Sequence, residues 1–110
     1  MIAKKFRLSR NEIDYLLKKG DLKKTKLFLI KHSKKDENYS SYCVIISRKI
    51  SNKAVTRNKL KRQIMEAIRI LNKEGIEPKK SLNIALIPKK NILKATYQDI
   101  QDDIENFLKN

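Results

Sequence analysis

The stretch Ser47–Arg69, SRKISNKAVTRNKLKRQIMEAIR, decides how this chain folds. It holds eight basic residues (Arg48, Lys49, Lys53, Arg57, Lys59, Lys61, Arg62 and Arg69) against one acid, Glu66. Leu60, Ile64, Ala67, Ile68 and Leu71 recur at steps of three and four, which puts them on one helical stripe roughly 100° wide. Asn58, Lys61, Arg62, Met65 and Arg69 fall on the adjoining arc, and Arg57 sits at the border. One side of this helix is made for burial. The other offers guanidinium, ammonium and amide groups in a fixed array. Many basic helix faces are no more than solvated charge runs. Here the alternating acids of a self-paired surface helix are missing. Asn58, a neutral donor and acceptor among cations, adds nothing to solubility by charge.

Working outward, Ser41–Ser47 (SYCVIIS) precedes the basic stretch. Its apolar residues are consecutive, which predicts a strand buried on both faces. The β-branched Val44, Ile45 and Ile46 favour strand over helix. Lys26–His32 (KLFLIKH) reads as another strand, and the polar Lys34–Ser41 as a hairpin loop or a loop with some mobility. Asp21–Thr25 is too short and charged to assign. Before it, Ser9 and Glu12 form a capping box, with Leu8 and Ile13 spaced as a hydrophobic staple. Ile13, Leu16 and Leu17 then give an apolar stripe, and Gly20 is expected to supply a left-handed stop. Arg10, Lys18 and Lys19 occupy the polar face of this short helix.

Beyond the basic helix, which should end near Asn72, residues 73–81 form a connection holding Gly75 and Pro78. Leu82–Ile87 (LNIALI) is a further strand, closed by Pro88, which cannot donate to a ladder. Thr96 caps a last helix, with Asp99 at its third position. Tyr97, Ile100, Ile104, Phe107 and Leu108 form its buried face, and Asp99, Asp102, Asp103 and Glu105 its acidic outer face. The order is helix, two or three strands, helix, strand, helix. That is an α+β sandwich with helices on a small sheet.

At 110 residues the chain is expected to form one domain. Its formal net charge of +15 calls for a polyanionic partner, nucleic acid or anionic membrane. The charge is one-sided in sequence: the last twenty residues carry four acids and two bases. The basic helix lacks Trp or Phe on its apolar edge, which argues against a membrane surface. Met1–Leu8 has charges with no apolar run behind them, so it is not a secretory signal. The longest apolar runs are far too short to span a bilayer. Cys43 stands alone, which excludes an intrachain disulfide and a Cys-based zinc site. A cytoplasmic location fits all of this.

Protein-based phosphodiester cleavage needs a general acid and base, or carboxylates holding metal. His32 is the single histidine and has no acidic neighbour in sequence. Asp99, Asp102 and Asp103 read as a solvated helix face rather than a cation site. The chain does not look like a self-sufficient nuclease.

The Ser47–Arg69 stretch resembles the signature of the protein subunit of bacterial ribonuclease P. Arg57, Asn58, Lys61, Arg62 and Glu66 match it in type and spacing, while Lys59 and Met65 stand where Arg is usual. The opening KKFRL, Gly20, the Ser47–Lys49 junction, the strand ending in Pro88 and the Thr96-Tyr97 helix start follow in the family's order. The resemblance implies a two-layer sandwich of order αβββαβα with a small mixed sheet. Its strand–helix–strand unit crosses over with left-handed sense, against the usual rule. It also implies that the RNA subunit is the catalyst and uses Mg²⁺, with none bound by the protein alone. The partners implied are ribonuclease P RNA and precursor tRNA, with a monomeric protein in a 1:1 complex with the RNA and no membrane. The RNA-binding set would be Arg48, Lys49, Lys53, Arg57, Asn58, Lys61, Arg62 and Arg69. A cleft between the sheet and the first helix would hold the 5′ leader of precursor tRNA. Aligned on Gly20, its expected lining is Ile13, Leu17, Phe28 and Ile30, with Tyr42 and Phe6 as further apolar candidates. Simple core packing competes as a reading of these residues. The alternative function is a ribosomal or other structural RNA-binding protein without a processing role.

Overall fold

The computed structural model describes residues 8–109; Phe6 and the opening stretch before Leu8 lie outside them. Helix α1 (Arg10–Lys19) begins on the expected capping box, with the Glu12 amide donating to Ser9 Oγ at 3.3 Å and the Ser9 amide to Glu12 Oε1 at 2.9 Å. Strands β1 (Asp21–Lys24), β2 (Phe28–Lys34) and β3 (Ser41–Val44) follow. Helix α2 (Ala54–Lys73), strand β4 (Leu82–Pro88), a 3-10 turn (Lys90–Lys94) and helix α3 (Tyr97–Lys109) complete the order. The sheet runs β1-β2-β4-β3, with β3 and β4 parallel and the other neighbours antiparallel. This is the expected αβββαβα arrangement with a mixed sheet.

The sheet buries its two faces unequally. On one face Phe28 and Ile30 of β2, Tyr42 and Val44 of β3, and Ile84 and Leu86 of β4 pack with α2 and α3. Helix α2 contributes Leu60, Ile64, Ala67, Ile68 and Leu71, the stripe read from its spacing. Helix α3 contributes Ile100, Ile104 and Leu108. On the other face a smaller cluster joins Leu8 and Leu16 to Cys43 and Ala85. Strand β3 is therefore buried on both sides, as its apolar run predicts, but it ends at Val44 rather than Ser47.

Three expectations about the chain path need correction. The first long strand starts at Phe28 rather than Lys26, because Thr25–Phe28 closes the β1–β2 turn. The Thr25 amide donates to the Phe28 carbonyl at 2.8 Å and the Phe28 amide to Thr25 Oγ1 at 3.0 Å. Residues 35–40 are not a hairpin loop, since β4 is inserted between β2 and β3. Gly20 is extended (φ −70°, ψ 157°) instead of left-handed. A Cβ there would meet the Leu16 carbonyl oxygen at 2.5 Å, so the residue is small because two backbones approach. The left-handed glycine is Gly75 (φ 81°), which ends α2. Its amide donates to the Asn72 carbonyl, and that of Ile76 to the Leu71 carbonyl at 2.9 Å, a Schellman closure.

Asp103 also departs from expectation. Its carboxylate does not join the solvated face. It accepts from Thr25 Oγ1 at 2.6 Å and from the Leu27 amide at 3.0 Å, tying α3 to the β1–β2 turn. Thr96 and Asp99 do form the reciprocal cap, at 3.0 and 3.1 Å. No helix among the described residues is long and apolar enough to cross a membrane.

Two stability outcomes follow, both read by denaturant unfolding. Ile64→Ala, at a position with no exposed surface, should cost about 2–5 kcal/mol. Asp103→Ala should cost about 1–3 kcal/mol, because it strands the amide of buried Leu27.

Candidate nucleic-acid interface

Docking of the apolar stripe fixes what α2 presents outward. Asn72 lies on the β3 flank, where its Oδ1 accepts from the Tyr42 hydroxyl at 3.3 Å. Lys61 and Asn58 share that flank by helical spacing. Burial pushes the Cys43 thiol up to about 11, and the nearby Lys61 ammonium pulls against it. Lys61 therefore lies near β3, the strand at one edge of the sheet. Arg62 and Arg69 point away from the sheet. On the opposite flank, Lys59, Arg62, Gln63 and Glu66 line a notch with Tyr97 of α3.

The loop before α2 is held at its base by Ile50, which is buried. The Ile50 amide donates to the Ser47 carbonyl, and the Lys49 and Lys53 amides to Ser47 Oγ and Ser51 Oγ. Arg48, Lys49 and Lys53 are thus exposed on an ordered turn. Arg57 is half-buried, with Nη1 donating to the Ser51 carbonyl at 2.8 Å. It joins the loop to the helix and so has a structural part beside its charge.

The start of α2 is electrostatically open. Lys53 at the cap makes no side-chain bond to the first turn, and that turn has no acid. Unpaired amides and the positive end of the helix dipole point at the same region as Lys53 and Arg57. Among the described residues, Arg69 alone of the eight expected RNA contacts has a carboxylate partner, a two-pronged pair with Glu66. That pair was not visible as such in the basic run, although the i,i+3 spacing allows it. The arrangement suits phosphate: arginines fork onto two oxygens, lysines act as point charges, and open amides donate.

The second expected site is rearranged. Phe28 and Ile30 are fully buried on the α2–α3 face, as is Tyr42 with 2% exposure. They line core, on the opposite side of the sheet from α1, and cannot meet a ligand there. The turn at Thr25–Phe28 sets this register. Ile13 is half-buried on the α1 side, packed against the smaller cluster, and Leu17 is 38% exposed. The strand register places Leu29 opposite Ile87, and the Ile45 amide bonds to the Leu86 carbonyl beside it. Leu29, Ile87 and Ile45 thus form one half-buried apolar row on the sheet face that carries α1, where Ile13 packs against the same small cluster as Ile45. Sequence reading missed Leu29 and Ile87. The alternation of β2 and β4 contains them, once the register is known.

His32 lies on β2 with its ring 5.7 Å from that of Phe107. Among the described residues no group of three or more His, Cys, Asp or Glu is placed to hold a metal ion.

Comparison with known proteins agrees with this geometry. A family model described as Ribonuclease P matches residues 2–110. The ribonuclease P protein component of Mesoplasma florum is 30% identical over 97 residues, covering 88% of this chain and 86% of that one. The solved ribonuclease P protein of Thermotoga maritima superposes with a TM-score of 0.81 at 29% identity, over 94% of each chain. A mutant of the Staphylococcus aureus ribonuclease P protein superposes with a TM-score of 0.81 at 25% identity, over 96% of this chain and 87% of that one. With motif, fold and full-length likeness in agreement, the chain belongs to the ribonuclease P protein family.

Proposed function

We propose that this chain, as a single RNA-binding domain over residues 1–110, is the protein subunit of a ribonuclease P ribonucleoprotein. It binds the catalytic RNA and the 5′ leader of precursor tRNA, and assists endonucleolytic removal of the leader in the cytoplasm. The RNA performs the chemistry with Mg²⁺, and the protein joins it as a monomer in a 1:1 complex.

One observation carries this reading: the open, uncapped start of α2, surrounded by cations that have no carboxylate partner among the described residues. A folded protein that leaves this much charge unopposed in one place gains from a polyanion. Arg57, Asn58, Lys61 and Arg62 grip ribozyme phosphates, with Arg48, Lys49 and Lys53 on the adjoining turn. The apolar row Leu29, Ile45 and Ile87, with Ile13 and Leu17, takes unstacked leader bases by apolar contact. Without aromatics in that row, stacking is weak and leader affinity is low for the family.

The deciding experiment mixes the purified chain with a bacterial ribonuclease P RNA and precursor tRNA at low Mg²⁺. Processing should be faster than with RNA alone; equal rates would refute the reading. Within it, Arg62→Ala should weaken RNA binding and leave the melting temperature unchanged. Arg57→Ala should weaken binding and also lower the melting temperature, because the Ser51 carbonyl loses its donor. Lys61→Ala should reduce the slope of log affinity against log salt by about one.

A further inference from the structure

The α3-facing flank of helix α2 borders the phosphate-gripping face at Arg62. A shallow notch opens between α2 and α3, lined by Lys59, Arg62, Gln63, Glu66 and Tyr97. Two features of it are out of balance. Glu66 is the one acid on the basic helix surface, and both its oxygens are engaged by Arg69. The Tyr97 hydroxyl is buried and has no hydrogen-bond partner. A buried hydroxyl without a partner is a standing cost that a nearby acceptor would remove. The acceptor at hand is the Glu66 carboxylate, which lines the same notch. Its negative charge acts on Tyr97: burial first, then Glu66, holds the hydroxyl above its ordinary pKa.

The Glu66–Arg69 pair is also the kind that yields. Both side chains are more than two-fifths exposed, at 44% and 41%. An exposed ion pair contributes little and is screened by salt. A nucleic-acid phosphate offers the guanidinium the same two-oxygen fork, together with counterion release. Once it does, Glu66 faces the incoming negative charge and needs another donor.

We propose that Glu66 is a displaceable counter-ion for Arg69 and that Tyr97 receives it: when RNA phosphate takes the Arg69 guanidinium, the Glu66 carboxylate turns to accept a hydrogen bond from the Tyr97 hydroxyl. No covalent bond changes. One carboxylate exchanges a guanidinium donor for a phenolic one, and the cation passes to the RNA. Glu66 and Tyr97 are then positioning residues that act through Arg69. The exchange rests on the reading of α2 as the RNA-binding helix and adds a second contact line along its α3 side.

The test is equilibrium binding of the full chain to a bacterial ribonuclease P RNA, for wild type, Tyr97→Phe, Glu66→Ala and the double variant. Losing a hydrogen bond to a charged acceptor should weaken Tyr97→Phe by about tenfold. Its melting temperature should stay the same or rise, since the hydroxyl it removes has no partner in the free protein. In the Glu66→Ala background the Tyr97→Phe effect should vanish, which a merely structural tyrosine would not produce. Tyr97→Phe binding like wild type, or losing the same affinity with Glu66 absent, would overturn the exchange alone. Wild type that fails to bind this RNA would overturn the α2 reading and the exchange together.

Discussion

The seating of one apolar stripe, Leu60, Ile64, Ala67, Ile68 and Leu71, on the sheet governs where everything else on α2 can face. Each such side chain gains about 1.5–3 kcal/mol from full burial. Turning the helix by one residue, 100°, would carry Lys61 into the space now held by Leu60 and Ile64. A buried ammonium without a partner costs far more than any contact such a rotation would bring. The outward array of Arg57, Asn58, Lys61 and Arg62 is therefore held by the core beneath it. Side chains fixed from behind in this way lose less entropy when they meet a ligand.

The three helices treat their first turns differently, and the contrast carries meaning. Helices α1 and α3 each start on a reciprocal cap, Ser9 with Glu12 and Thr96 with Asp99. Helix α2 is the longest and starts with no cap and no acid. Local stability would favour an acid there. Its absence leaves a positive field that an external anion can satisfy. Acids are present in the chain, but α3 uses them elsewhere. Asp99 closes its own helix, and Asp103 bonds the β1–β2 turn.

What the sequence made legible was local or periodic. The Ser9 and Thr96 caps, the five-residue stripe of α2 and the two-faced burial of β3 all follow from spacing along one segment. What escaped depends on how segments meet. Nothing within Lys34–Ser41 says that a strand forty residues later will enter between β2 and β3. The sides of Phe28 and Ile30 hang on a turn whose start, Thr25, has no strong sequence mark. One residue of slip exchanges the faces of a strand, so Phe28 and Ile30 went to the core and Leu29 to the half-covered face beside α1. Gly20 follows a helix, where a left-handed cap is common, whereas its smallness answers a contact with Leu16. Asp103 and Glu66 were visible as acids, but their partners were set by tertiary approach.

The apolar row beside α1 has its own geometric cause. A ten-residue helix is about 15 Å long, whereas seven-residue strands run to about 23 Å. Leu8, just before helix α1, joins the cluster that holds Cys43 of β3, and Gly20, just after it, lies beside the His32 carbonyl of β2, so the helix crosses the strands instead of following them. A short rod laid across long strands covers one band of the sheet, here the one centred on Ala85 and Cys43. The next band, Leu29, Ile87 and Ile45, is left half covered. Burying it fully would need a longer α1 or a second helix on that face, and the chain spends its remaining helices on the opposite one. An open apolar shelf is therefore what this element order leaves behind on the α1 face, and the proposed reading seats unstacked bases on it.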